Sequence, residues 1–188
     1  EWHGTVFEEE IGGLSGLDLL DEGEYMRTFV GVYEGERGSR RVQLRTPVDE
    51  SPGEDFGEAV VRVAQNWRKA ASQPNIVEVI DWGTDPRPWV LVTEIRTSLE
   101  TSLLALSIGT GLRTVSETAV SLRNAGLYNT THGNLQPRHV NVLDSDPIAL
   151  VDDWGLERAV ASHDENEFLT PYTAPEQIDP SLDGSNET

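Results

Sequence analysis

One punctuated helix set between runs of strand-forming residues limits this chain more than any other feature. Ser51-Pro52-Gly53-Glu54 reads as a capping box with proline at the first helical position. Phe56, Val60, Val63, Ala64, Trp67 and Ala71 then recur at helical spacing and give one apolar face, until Gln73-Pro74 stops it. Upstream, Thr28-Phe29-Val30-Gly31-Val32-Tyr33 is rich in β-formers and Arg40-Arg41-Val42-Gln43-Leu44 alternates, with a turn at Glu36-Arg37-Gly38-Ser39. Downstream, residues 76–82 and 89–93 read as two more strands. A lone amphipathic helix in such company must cover a face of an antiparallel sheet.

Beyond Arg96 the pattern turns helical. Leu112, Val115, Ala119 and Leu122 form a stripe that ends at Gly126, read as a C-cap. Short strands at 140–143 and 148–151 flank Asp144-Ser145-Asp146-Pro147. The expected class is α+β, a β-rich lobe on a helical one. Residues 1–16 read as an N-terminal extension, 17–96 as the β-rich lobe and hinge, and 97–188 as a partial helical lobe. Without an initiator Met, the chain is expected to follow an upstream segment.

Composition removes several functions. Among 188 residues there are 33 Asp+Glu against 14 Lys+Arg, and no Cys. Disulfides, cysteine-zinc sites and thiol nucleophiles are therefore excluded. A formal charge of −19 argues against nucleic acid and anionic lipid as partners. No apolar run approaches about 18 residues, and no signal-peptide pattern is visible, so the expected location is cytoplasmic. Lys69 is the sole lysine. Such acid excess with scarce lysine resembles the composition of halophilic archaeal proteins.

Four segments in order carry a second resemblance. They are Gln73-Pro74-Asn75-Ile76-Val77, His132-Gly133-Asn134-Leu135-Gln136-Pro137, Asp153-Trp154-Gly155 and Ala174-Pro175-Glu176. Over residues 17–188 the chain resembles the protein kinase superfamily. The segments match its H-P-N-I-V, catalytic loop H-R-D-L-K-P, D-F-G and A-P-E motifs.

The resemblance assigns roles residue by residue. Asn134 stands at the catalytic aspartate, where an amide lacks the basicity that contributes about 10²–10⁴-fold; its bland alternative is loop capping. Gly133 and Gln136 replace the loop's arginine and lysine. Of the glycine-rich loop only Gly23 survives, among Asp21, Glu22 and Glu24, which would repel a polyphosphate. Arg45 holds the phosphate-pairing lysine position and contacts either phosphate or a carboxylate. Its helix partner would fall near Ala64, which cannot ion-pair. Asp153 is the implied magnesium ligand, with His139 or Asn141 as the second, and Asp152 should point the other way in an extended segment. Thr93, Glu94 and Ile95 form the implied purine-binding hinge, while His132 and Trp154 read as core. The implied function is a pseudokinase, a signalling module that senses nucleotide or binds protein partners, with ATP and Mg bound weakly or not at all. The alternatives are an active serine/threonine-type kinase with displaced groups, and an interaction module with no nucleotide site.

Overall fold

The computed structural model of the chain describes residues 5–48, 54–95, 98–102, 106–142, 149–161 and 171–173. The upstream strand patterns become β1 (Leu14–Glu22), β2 (Met26–Gly35) and β3 (Gly38–Pro47), a meander with its tight turn at Glu36-Arg37. The helix is α2 (Glu54–Ala70), followed by β4 (Val79–Gly83) and β5 (Trp89–Thr93). These strands form one antiparallel sheet in the order β1-β2-β3-β5-β4. The class is α+β. The residues Ser51, Pro52 and Gly53 of the expected capping box lie outside the described residues, as does Arg96.

Strand alternation sorts the sheet into two faces. On one, Phe56, Val60, Ala64, Trp67 and Ala70 of α2 pack with Val77, Val79, Val90 and Val92. Trp67 is fully buried, and its indole N–H donates to the Val77 carbonyl at 3.0 Å. The opposite face buries Val42, Leu44, Trp89 and Leu91. Because Val42 and Leu44 point there, Gln43 and Arg45 must point to the α2 side.

The segment 1–16, expected to be an extension, is part of this packing from Phe7 onward. α1 (Thr5–Glu10) places Phe7, and Ile11 just beyond it, on Leu14, Phe29, Val42 and Trp89, and β1 already begins at Leu14. The Glu8 carboxylate also accepts the Leu17 N–H at 2.6 Å. A patch of one Phe and one Ile among acids was too short to register as periodic, yet it covers a sheet face that α2 cannot reach. Phe7→Ala is expected to cost about 3 kcal/mol, measured by chemical denaturation. A change under ~0.5 kcal/mol would return the segment to an extension.

The remainder is α3 (Leu99–Ser102), α4 (Ile108–Gly126), a 3₁₀ turn Pro137–His139, a hairpin of β6 (Val140–Val142) and β7 (Ala149–Val151), and α5 (Leu156–Ala161). β7 is stitched beside α2's exit: Val77 N–H donates to the Val151 carbonyl and Val151 N–H to the Asn75 carbonyl, each at 2.9 Å. Val151, Trp154, Leu156 and Val160 share the α2 core, so both parts of the chain are built on one apolar cluster.

Two helical expectations need correction. The face α4 buries carries Thr114, Thr118, Ser121 and Ala125, whereas Leu112 and Val115 of the expected stripe are 69% and 65% exposed. Small residues let α4 approach closely: Glu117 accepts the Ala149 N–H at 2.8 Å, and Ser121 Oγ reaches the Pro74 carbonyl at 3.5 Å. Gly126 is not the cap either. The helix runs through it to Leu127, and the left-handed residue comes at Asn129, φ 54°. Residues 143–148 and the Ala174-Pro175-Glu176 motif lie outside the described residues.

Candidate functional site

Backbone conformation at two glycines brings the loop 132–137 and the segment 152–157 together. Gly133 has φ 75° and Gly155 φ 83°, both in the left-handed region that side chains disfavour. A Cβ on Gly155 would lie 3.2 Å from the His132 carbonyl oxygen, so the two segments touch because that position is glycine. Between them Asp153 itself has φ 52°. This turn breaks extended alternation, and it corrects the expectation for Asp152: the carboxylates of Asp152 and Asp153 line the same cleft.

That cleft, about 210 Å³, is lined by Gly23, Arg45, His139 and Asp153 from the expected set, together with Asp21, Arg138, Asp152 and Glu157. Arg45 is buried. Its Nη2 donates to Asp152 Oδ2 at 2.5 Å and to Gln43 Oε1 at 3.0 Å, and its guanidinium lies 5.7 Å from the Trp67 ring centroid. Of the two contacts left open for it, the structure supplies a carboxylate. It comes from the segment 152–157 rather than from α2, where Ala64 is fully buried. Burial would push the Arg45 guanidinium down, but Asp152 outweighs it and holds it above its ordinary value.

Asn134 is buried and engaged at both ends of its amide. Its Nδ2 lies 3.3 Å from both Asp153 Oδ2 and Glu157 Oε2, and its Oδ1 accepts from Gln136 Nε2 at 2.6 Å. His139 donates from Nδ1 to the Asn134 carbonyl at 2.7 Å, which leaves Nε2 facing Asp153 Oδ2 at 3.4 Å and Glu157 Oε2 at 3.6 Å. His139, not Asn141, therefore stands beside Asp153. Asn141 is buried in β6, its Nδ2 without a hydrogen-bond partner. Burial pushes the Asp153 carboxyl up, against the pull of His139 and Arg45. It would also push up Glu157, but the hydrogen bond with His139 and the Arg138 guanidinium at 2.7 Å hold that carboxyl below its ordinary value. Burial alone would push His139 down; Asp153 and Glu157 hold it up.

Other expected residues serve elsewhere. The Gly23 N–H donates to the Met26 carbonyl at 2.9 Å, so it closes a hairpin turn and is not open to phosphate. Glu22 pairs with Arg27. Thr93, Glu94 and Ile95 do not line the cleft. Thr93 N–H bonds the Glu78 carbonyl, and Glu94 takes both Nε and Nη2 of Arg41, at 2.7 and 3.0 Å. The Ile95 carbonyl accepts from the buried Gln43 side chain at 2.8 Å. Gln43 thus bridges Ile95 and Arg45, a role that an alternating strand pattern did not reveal. Glu157 was also missed, although its distance of four residues from Asp153, at a helix start, could have signalled it. Asp153 Oδ1 accepts the Glu157 N–H at 3.2 Å.

His132 is a core ring, tilted against Trp154 at 5.0 Å and stacked on His139 at 6.0 Å between centroids. Its Nε2 bonds the Asp152 carbonyl at 2.7 Å and its Nδ1 accepts the Asn134 N–H at 3.3 Å, an arrangement only the neutral ring satisfies. Burial, then the neighbouring His139, pushes its pKa down to about 4. An unfolded histidine titrates near 6.5, so between pH ~6.5 and ~4 the unfolded chain binds a proton that the folded chain does not. Stability should fall as pH drops through that window, by roughly 2–3 kcal/mol. His139, raised, acts on the other side, since its contribution is lost only as pH rises. In chelator, His132→Gln should flatten the acid limb of denaturation midpoints; an unchanged slope would refute this origin.

The chain matches no protein-family model, and no curated protein matches it.

Proposed function

We propose that the chain is a protein-kinase-like regulatory module, a pseudokinase that engages protein partners and carries out little or no phosphoryl transfer. The observation that carries this reading is Asn134: at the position of the catalytic base stands an amide held at both ends, donating to Asp153 and Glu157 and accepting from Gln136. Support also comes from the antiparallel sheet with α2 against one face and from the approach of residues 132–137 to 152–157.

Two observations favour binding without nucleotide. The Gln43 amide occupies the Ile95 carbonyl, and a cleft of about 210 Å³ is smaller than the ~300–1,000 Å³ of ordinary small-molecule pockets. ATP up to millimolar concentration, with or without magnesium, in molar KCl, should leave the melting temperature unchanged. A ligand at 100-fold its Kd would add about 2.7 kcal/mol. A clear upward shift would instead assign a nucleotide-sensing role, and label transfer an active kinase with atypical residues.

A further inference from the structure

The resemblance implies magnesium at Asp153, but the residues around it do not suit that ion. Magnesium demands near-octahedral oxygen ligands and is usually held through carboxylates and substrate phosphates. Here an imidazole nitrogen sits at the centre of the set. The Nε2 of His139 and one oxygen each of Asp153 and Glu157 lie within 4.8 Å of one another. We propose that His139, Asp153 and Glu157 form a site for a first-row transition-metal dication of the zinc class, bound without nucleotide.

The geometry argues this in three ways. Zinc bonds of ~2.0–2.2 Å place neighbouring ligand atoms roughly 3.3 Å apart in a tetrahedron. His139 Nε2 already lies 3.4 and 3.6 Å from the two carboxylate oxygens. The His139 Nδ1–H is fixed on the Asn134 carbonyl at 2.7 Å, the orienting bond that presents Nε2 as a ligand. The cleft also sets four carboxylates, Asp21, Asp152, Asp153 and Glu157, against two arginines, Arg45 and Arg138. The Asn134 amide has two nearly isosteric ends. Rotated, it offers Oδ1 to a cation, and a rotated Gln136 accepts from its Nδ2. The set is independent of the pseudokinase reading, since a metal can bind whether or not the chain transfers phosphate.

The chelator-treated chain in molar KCl would be titrated with Co²⁺ and followed by its visible d–d bands. One equivalent should give the intense spectrum of four- or five-coordinate cobalt. Zn²⁺ at one equivalent should bleach it, and millimolar Mg²⁺ should not. Glu157→Gln and His139→Gln should each weaken binding at least tenfold, whereas Asp18→Asn, on an exposed strand, should leave it unchanged. Because a variant at the cluster can fail to fold, the nitrogen shift of His139 would be followed by NMR in wild type. Zinc should move Nε2 to a metal-bound value. A pale, six-coordinate aqua spectrum, or a His139 Nε2 that stays protonated in excess zinc, would overturn the site. The latter would mean that an imidazolium bridges the carboxylates by itself.

Discussion

With labelled ATP and magnesium, the wild-type chain should transfer no phosphate to itself or to a generic acceptor above roughly a ten-thousandth of the 1–100 s⁻¹ typical of kinases. Asn134→Asp should not restore transfer, and it should destabilise the fold. The new carboxylate would stand where Nδ2 now lies, 3.3 Å from Asp153 and from Glu157, and two favourable N–H contacts would become repulsions. At that separation like charges cost several kcal/mol even at an effective dielectric of ~20. A loss of about 2–4 kcal/mol remains after one carboxyl takes up a proton. Repairing the base would still leave Arg45 committed to Asp152 and the Gly23 N–H committed to Met26. Positioning and electrostatic stabilisation are the larger part of this chemistry. Wild-type turnover abolished by Asp153→Ala would refute the inactive reading. Turnover gained by Asn134→Asp alone would mean that the other contacts matter less than argued.

Arg45→Met should cost about 3–5 kcal/mol, because it leaves the Asp152 carboxylate buried without its cation and deprives Gln43 Oε1 of a donor. Asp152→Asn in the same chain should recover most of that loss, since the orphaned charge is then gone. The Asp153 N–H, which Asp152 Oδ1 accepts at 2.8 Å, would keep an acceptor in the Asn side chain. Denaturant midpoints for both single variants and the double variant complete the cycle. Additive losses would mean that the pair is not coupled and that Arg45 acts through Trp67 alone.

The parts of the fold legible in advance were those with a strong local period. The α2 face came from residues three and four apart, and it packs as read, with Phe56, Val60, Ala64 and Trp67 all buried. The strand pairs β2–β3 and β4–β5 came from β-formers around turn residues. α4 was legible as a helix but not in its orientation. A stripe of Leu112, Val115, Ala119 and Leu122 looks like a core face, yet close approach to β7 requires small residues, so Thr114, Thr118 and Ser121 went inside. α1 escaped notice because six residues hold too little pattern.

At the site, the sequence alone determined which residue types were present: an amide at Asn134, an arginine at Arg45, a histidine at His139. These identities do not depend on the fold, and their limits of basicity, shape and ligand preference follow from chemistry. What only the tertiary structure decided was their company. Left-handed turns at Gly133, Asp153 and Gly155 are not propensities readable from composition; they are held by contacts between distant segments. Those turns put Asp152 on Arg45, brought Glu157 to His139 and Asp153, and engaged both ends of Asn134. Pairing partners 14 to 107 residues apart are set by the shared core of α2, β7 and α5, and no local pattern could rank them.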